Sequence, residues 1–97
     1  MNVMISEAAE IALRMSREDT RKRVGAWIDH LKQWDTDPYI RQHSKKLDHA
    51  GDNVYVLITS EDFLIFFSLE EDGITILDVA RKSAIGSFGQ FSEANQG

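Results

Sequence analysis

The segment that decides the fold is NVYVLITSEDFLIFFSLEEDGITILDV, residues 53–79. It contains three runs rich in β-branched and aromatic residues, at positions 53–59, 63–69 and 74–79. Short acidic stretches separate the runs, and the second stretch ends in the turn pair Asp72-Gly73. Connections this short join only antiparallel neighbours, so the sequence predicts a three-stranded antiparallel meander.

The middle run is apolar on both faces of the predicted strand. Phe63, Ile65 and Phe67 share one face, whereas Leu64 and Phe66 share the other. A strand of this kind needs cover on both faces, and one pair of helices covers only one of them. We therefore expect a second covering element, together with half-apolar outer surfaces that the helix or strand of a partner could bury.

Two amphipathic helices are predicted upstream of the meander. Ser6 is a suitable N-cap for the first, whose predicted buried stripe is Ala8, Ile11, Ala12 and Met15. The second helix restarts within residues 16–19, and its predicted stripe is Val24, Trp27, Ile28 and Leu31, extended by Trp34. Residues 1–5 are apolar enough for a leading strand. The predicted class is α+β: a short N-terminal strand, an αα-hairpin and an antiparallel meander, with the helices on one face of the sheet.

Length and composition set the broad class. The chain has 97 residues, of which 42% are hydrophobic and 28% charged, as expected for one soluble globular domain. The absence of cysteine excludes disulfides and thiolate zinc sites. The first 15 residues are too acidic for a signal peptide, and no apolar run is long enough to cross a membrane. We expect a cytoplasmic protein without a membrane partner.

Charge is distributed unevenly along the chain. The net charge is −5, with a balance of +2 over residues 1–46 and −7 over residues 47–97. This balance argues against indiscriminate binding of nucleic acid, because neutralisation of phosphates supplies most of that affinity. It leaves room for one small basic site.

Several candidate sites have simpler interpretations. His30, His43 and His49 lack the spacing that places two imidazoles on one helical face, so they are predicted to be surface histidines, and no metal or cofactor is expected. The acids of residues 70–72 fall at a predicted hairpin tip, where charges are usually solvated. The basic run of residues 14–23 is interrupted by acids and is predicted to be a solvated surface.

The candidate catalytic residues are four cations: Lys45, Lys46, Arg81 and Lys82. One pair precedes the meander and the other follows it. If residues 44–47 form a strand beside the meander, the two pairs could converge near one end of the sheet. Converging cations can hold a phosphate and stabilise the charge that develops on it. The alternative is that they lie on loops and maintain solubility.

The sequence resembles the RelE/ParE superfamily, the toxins of bacterial type II toxin–antitoxin pairs. The resemblance is strongest over residues 63–84, with an aromatic–x–Ile–Phe–Phe strand, an acidic turn ending in Asp72-Gly73 and the run ITILDVARK. The segment Ser44-Lys45-Lys46-Leu47 resembles the family's lysine–leucine step into the sheet. The match covers roughly residues 2–88, which implies one domain over 1–88 and a flexible tail over 89–97.

The resemblance implies a toxin-type component that forms a hetero-oligomer with a cognate antitoxin. The RelE branch is an mRNA interferase: it inhibits translation by cutting messenger RNA on the ribosome, with the RNA 2′-hydroxyl as nucleophile and without a metal. The ParE branch acts on DNA gyrase. A third alternative is a non-catalytic interaction module that keeps the fold and the partner.

The chain departs from the RelE pattern at the positions that carry chemistry. Tyr55 and Leu57 occupy places where active members tend to have lysines, and Leu64 replaces an arginine. Phe88 replaces a tyrosine near the C-terminus and has no hydroxyl. A cation after the last strand does match, at Arg81 or Lys82. The resemblance therefore implies an atypical or impaired catalytic set.

Overall fold

A computed structural model describes residues 1–48, 51 and 53–84. Its elements, in chain order, are β1 (Asn2–Ile5), α1 (Glu7–Arg14), α2 (Glu18–Leu31), α3 (Pro38–Gln42), β2 (Ser44–Lys46), β3 (Val54–Ile58), β4 (Phe63–Glu70), β5 (Gly73–Arg81) and a 3₁₀ turn (Lys82–Ala84). Phe88 and the predicted tail, residues 89–97, lie outside the described residues. Within them, no helix combines the length and the apolar character needed to cross a membrane.

The five strands form one sheet in the order β1-β5-β4-β3-β2. The predicted meander is confirmed, because β3 pairs antiparallel with β4 and β4 with β5. β1 pairs with β5 in parallel, from Asn2 opposite Gly73 to Ile5 opposite Ile76. Two parallel strands need a long connection between them, and here the connection from β1 to β5 contains every element from α1 to β4.

The cation-bearing segment Ser44–Lys46 is a strand, as the sequence suggested. It pairs antiparallel with β3, where Lys45 lies opposite Val56 and Lys46 opposite Tyr55. It forms one edge of the sheet, and β1 forms the other.

The main core lies between the helices and one face of the sheet, which confirms the predicted layering. Its buried residues are Ala9, Val24, Ile28, Leu31, Ile40, Leu57, Phe63, Ile65, Phe67, Ile74 and Ile76. Val56 and Leu64 belong to the opposite face of the sheet and are also buried, at 0% and 1% exposure. Leu64 on the second face of β4 is therefore covered as well, whereas Phe66 on that face is half-buried.

Helix α1 has the predicted N-cap but not the predicted buried face. The Ser6 hydroxyl accepts a hydrogen bond from the Ala9 backbone N–H at 3.2 Å. Ala9 is fully buried, whereas Ile11 and Met15 are 46% and 84% exposed. The predicted stripe is thus wrong, because α1 turns its Ala9 side to the sheet and Leu13 packs beside it against the core. A small residue at the contact lets the helix approach the strands closely.

Helix α2 follows the predicted stripe, with Val24, Ile28 and Leu31 buried. The turn that joins it to α1 is held by Arg21, whose guanidinium donates to the carbonyl oxygen of Ser16 at 2.7 Å. The same guanidinium donates to the carbonyl oxygen of Arg14, the last residue of α1, at 3.4 Å, and so supplies a donor that the helix itself lacks. These contacts explain how a short connection fixes the αα-hairpin.

Helix α3 was not predicted, since the segment around Pro38 was interpreted as a boundary between helix and strand. Asp37 is its N-cap and accepts from the Tyr39 backbone N–H at 2.9 Å, and Pro38 occupies the first turn, where its missing N–H costs nothing. Ile40 is fully buried and anchors this short helix in the core.

Candidate functional site

Arg81 and Lys82 lie where β5 ends, against the turn between β3 and β4. The Arg81 guanidinium forms an ion pair with Asp62 at 3.5 Å. The Lys82 ammonium donates to the Thr59 carbonyl oxygen at 2.6 Å. The end of β5 is therefore tied to the neighbouring turn through its cations.

Asp62 organises this corner. Its carboxylate accepts hydrogen bonds from the Ser83 backbone N–H at 3.2 Å and from the Ser83 hydroxyl at 3.0 Å. The hydroxyl bond of Ser83, helped by the Arg81 charge, lowers the pKa of Asp62 below its ordinary value of 3.8. Asp62 is thus an anion at neutral pH, and its negative charge partly offsets the positive charge of Arg81.

Lys45 and Lys46 lie on β2, at the far edge of the sheet. Successive side chains of a strand point to opposite faces, so Lys45 shares a face with Val56, and Lys46 shares the helix-covered face with Tyr55. Lys45 is half-buried and Lys46 is exposed. Among the described residues, neither ammonium has an ion-pair partner.

The four predicted site cations form two pairs rather than one cluster. Strands β4 and β3 lie between β5 and β2, so about 14 Å separates the backbones, at roughly 4.8 Å per strand. Arg81 is also level with Phe63 on β4, whereas Lys46 is level with Phe67. Residues 44–46 do pair beside the meander, but with β3, at the edge of the meander opposite to β5. The expected convergence on one phosphate is not observed.

Two of the positions where the RelE pattern has polar groups hold buried leucines, and a third holds the half-buried Tyr55. Leu57 and Leu64 are 0% and 1% exposed, and Tyr55 stacks on Phe67 with ring centroids 5.6 Å apart. A charged side chain at Leu57 or Leu64 would have to be desolvated in place of an apolar one, which carries a large cost unless it is paired. The two leucine side chains are apolar, so they supply no groups for proton transfer or phosphate binding.

A groove of about 390 Å³ lies between the α1–α2 turn and the end of β5. Its apolar lining comes mainly from Met15, Phe63 and Val79. Its charged lining consists of Arg17, Arg23 and Arg81 together with Asp19, Glu61 and Asp62. Of the four predicted site cations, Arg81 alone lines this groove.

The acids of the groove already have partners. Asp62 is bound as described above, and Glu61 accepts from the Trp27 indole at 2.8 Å and pairs with Arg23 at 3.4 Å. Asp19 accepts from the Thr20 backbone N–H at 3.0 Å. The Arg17 side chain has no hydrogen-bond or ion-pair partner among the described residues. The charged lining of the groove is therefore formally balanced, with Arg23 paired to Glu61 and Arg81 paired to Asp62.

The sequence interpretation missed the groove, because it assigned residues 14–23 to a solvated surface. The available signal was the density of basic residues where one helix ends and the next begins. Such a turn lies at one end of the helical layer, where it can meet the end of a strand. The periodicity within each helix does not indicate which strand end the turn between the helices will contact.

A second cluster of polar and aromatic groups joins α2 to α3. The rings of Trp27, His30 and Tyr39 are nearly parallel, with centroids 5.7–6.4 Å apart. Asp37, the N-cap of α3, lies 2.6 Å from His30 on α2 and so links the two helices. The Tyr39 backbone N–H, with His30, lowers the pKa of Asp37 below its ordinary value of 3.8. His30, expected on the surface, is half-buried in this cluster.

No group of three potential metal ligands converges among residues 1–48, 51 and 53–84. His30 is engaged with Asp37 instead. His49, the third candidate histidine, lies outside the described residues.

Comparisons with known proteins rest on the fold alone. No protein-family model matches the sequence, and no curated protein matches it. The structure is similar to a chain of the RelB–RelE antitoxin–toxin complex from Methanococcus jannaschii, with a TM-score of 0.64 and 17% identity. That similarity covers 84% of this chain and 93% of the other.

A second similar structure is the solution structure of the conserved hypothetical protein HP0894 from Helicobacter pylori. The TM-score is 0.54 and the identity 11%, over 86% of this chain and 96% of the other. Both matches extend over nearly the whole of the neighbouring chain, so the likeness concerns the complete domain. The chain therefore has a RelE-like α+β fold.

Proposed function

We propose that this protein is the toxin-type component of a toxin–antitoxin pair and that it forms a hetero-oligomer with its antitoxin in the cytoplasm. The observation that carries the proposal is the fold likeness to a chain of an antitoxin–toxin complex, over 93% of that chain. The resemblance of residues 63–84 to the RelE/ParE strand pattern supports it independently.

The activity that we propose first is RelE-like cleavage of messenger RNA on the ribosome with an atypical catalytic set. Arg81 is its principal residue, because it ends β5 beside an open groove and its side chain is 74% exposed. A guanidinium can bind a phosphate through two parallel hydrogen bonds. Lys82 would assist from the next position, and Lys45 and Lys46 could contact a neighbouring part of the RNA from the far edge of the sheet.

The second candidate is a non-catalytic interaction module with the same fold and partner. It is favoured by the burial of Leu57 and Leu64, at 0% and 1% exposure, where active relatives tend to carry cations. Under this proposal Arg81 and Asp62 only fasten the end of β5 to the adjacent turn.

The test is induced expression of the chain, alone and together with the product of the adjacent reading frame. We expect growth arrest, relief by the co-expressed neighbour, and cleavage of ribosome-bound messages. Arg81→Ala removes one preorganised contact to the transition state and should slow cleavage roughly a hundred- to a thousandfold. Lys46→Ala tests the distal pair of cations in the same way.

The matched control is Arg41→Ala, which removes an exposed arginine of α3 near the other edge of the sheet. Folding of each variant is checked by circular dichroism. Arrest with intact messages would assign the toxicity to gyrase, and no arrest in the parent would assign the chain to the non-catalytic module. Undiminished cleavage in folded Arg81→Ala and Lys46→Ala would reject the proposed site.

A further inference from the structure

The two edges of the sheet differ in charge. β2, at one edge, is a three-residue strand that includes Lys45 and Lys46. β1, at the other edge, consists of the uncharged residues Asn2–Ile5. Lysines on an edge strand oppose its pairing with a further strand, because the incoming strand has to desolvate or face the charge. β1 lacks this protection.

Apolar side chains are exposed on both faces of β1. Met4 is 68% exposed and Ile5 is 45% exposed. Val3 packs against the core, so Ile5 shares the helix-covered face with it and Met4 lies on the other face. Helix α1 packs on β5, the strand next to this edge. A strand that paired with β1 would therefore meet apolar surface on either side of the sheet.

The outward backbone groups of β1 belong to Val3 and Ile5. The Ser6 N–H donates to the Ile76 carbonyl oxygen on β5 at 2.9 Å. Alternate residues of a strand direct their N–H and C=O groups to the same neighbour, so Met4 also faces β5, and Val3 and Ile5 face outwards. Within the part of the chain that the structure describes, β5 is the only strand paired with β1. Two N–H and two C=O groups are thus open to a further strand.

This edge is complementary to itself. About a two-fold axis through Met4, an antiparallel second β1 places Val3 of each copy opposite Ile5 of the other, and these two pairs exchange four N–H···O=C bonds. Each exposed Ile5 is then covered by a Val3 side chain. The two Met4 residues form the non-hydrogen-bonded pair on the axis, with Cα atoms about 4.5 Å apart and side chains in contact. One register therefore covers both exposed apolar side chains of β1.

The charges near the edge are compatible with a second copy. The β5 residues beside β1, Gly73 to Ile76, are uncharged. Glu7 is the first charged side chain after β1, and in this register its two copies lie about 20 Å apart. That separation exceeds the Debye length of about 8 Å at physiological ionic strength. The same symmetry at β2 would place Lys45 opposite Lys45, which is unfavourable.

We propose that β1 is a homodimerisation edge, at which a second copy of this chain pairs antiparallel through Val3 and Ile5. The two five-stranded sheets become one continuous sheet, with the helices of both copies on the same face. Two short strands bury less area than a standard stable interface, so the dimer is reversible, with a dissociation constant of about 10 µM to 1 mM. The inference does not depend on the proposed function.

Disulfide formation tests the register. The chain has no cysteine, so a single introduced thiol reports on one position. Met4→Cys places two thiols at the axis, where the Cα separation of about 4.5 Å lies within the range of a disulfide. Asn2→Cys is the matched control, because Asn2 is exposed on the same face but its two copies lie about 13 Å apart. Under mild oxidation Met4→Cys should form linked dimers at least about tenfold faster than Asn2→Cys.

Sedimentation equilibrium of the full chain, from about 10 µM to 1 mM, measures the association itself. Met4→Lys places like charges opposite each other and should weaken dimerisation at least about tenfold. Ile5→Pro removes an outward N–H and leaves the bonds to β5, which use Met4 and Ser6, so a similar loss is expected. Circular dichroism verifies that each variant is folded, and Met4→Lys alone decides the matter if Ile5→Pro does not fold.

Met15→Lys is the matched control for the lysine substitution. Met15 is 84% exposed and lines the groove with Val79 and Arg81, away from the part of β5 that pairs with β1. The dissociation constant of the dimer should change less than about twofold in this variant.

Three results would overturn the proposal. The first is a parent that stays monomeric up to about 1 mM, including one that instead binds the product of the adjacent reading frame through Met4, since the edge would then belong to a strand of another protein. The second is dimerisation that Met4→Lys leaves unchanged or that Met15→Lys weakens equally. The third is linkage of Asn2→Cys as fast as that of Met4→Cys.

Discussion

The indole N–H of Trp27 donates a 2.8 Å hydrogen bond to the carboxylate of Glu61, a residue 34 positions later in the chain. This bond joins the middle of α2 to the turn between β3 and β4. The same carboxylate pairs with Arg23 at 3.4 Å, one helical turn before Trp27. Helix and turn are thereby held together at the rim of the groove that Arg81 also lines.

Removal of this carboxylate should destabilise the fold modestly. Glu61→Ala leaves the indole N–H and the Arg23 guanidinium without their acceptor, and we expect the free energy of unfolding to fall by about 1–2 kcal/mol. Urea denaturation followed by tryptophan fluorescence measures the change. Glu71→Ala, an exposed glutamate in the β4–β5 turn, is the control. Equal midpoints for the two variants would show that the Trp27–Glu61 bond contributes nothing.

The two glycines at Gly25 and Gly73 should respond in opposite directions to alanine. A Cβ at Gly25, inside α2, meets nothing within 4 Å, so Gly25→Ala should raise the free energy of unfolding by about 0.5–1 kcal/mol. A Cβ at Gly73 would lie 2.6 Å from the backbone oxygen of Asn2 on β1. Gly73→Ala must displace β1 from β5, and we expect a loss of about 1–3 kcal/mol. Thermal melts of both variants against the parent decide the matter. The prediction is contradicted if Gly73→Ala melts at or above the parent temperature.

Replacing Leu64 by the arginine of the RelE pattern should damage the fold rather than restore activity. Leu64 is 1% exposed, so Leu64→Arg must either bury a guanidinium or displace the residues that cover Leu64. We expect a loss of about 3 kcal/mol or more, against less than about 1.5 kcal/mol for Leu64→Met, which conserves volume. Denaturant unfolding of the two variants provides the comparison. A stable Leu64→Arg protein with increased cleavage would contradict this prediction.

Stability should decline in acid, partly through Asp62 and Asp37. The pKa of each carboxyl is lowered in the folded protein from an ordinary value of 3.8, by the Ser83 hydroxyl bond at Asp62 and by the Tyr39 backbone N–H at Asp37. A carboxyl whose pKa is lower in the folded state binds more protons when unfolded. Its contribution is therefore complete above the unfolded pKa and is lost as the pH falls through the folded one.

The measurement is the unfolding midpoint between neutral pH and about pH 2 for the parent, Asp62→Asn and Asp37→Asn. Each asparagine variant should be less stable than the parent at neutral pH and should lose less stability on acidification. Asp35→Asn, at an exposed residue of the α2–α3 connection, serves as the control. Parallel pH profiles for all four proteins would exclude a role for these carboxylates.

The sequence by itself determined the local elements and the class of the fold. The apolar run of residues 63–69, rich in β-branched and aromatic residues, and the turn at Asp72-Gly73 predict β4 and its antiparallel neighbours, because connections this short join only adjacent antiparallel strands. The Ser6 cap and the stripe of α2 were predicted for the same reason, since both depend on residues within a few positions of one another. A resemblance of strand pattern was sufficient to predict the RelE-like architecture.

The tertiary structure alone decided which faces meet. In α1 the apolar spacing favoured Ile11 and Met15, yet the sheet selects Ala9, because close packing on β5 outweighs the larger apolar area of an exposed side. The parallel register of β1 on β5 depends on room above Gly73, and α3 depends on Asp37 binding both its own first turn and His30. The separation of Lys46 from Arg81 follows from strand order. Strand order is set by contacts between distant parts of the chain, and no local pattern encodes it.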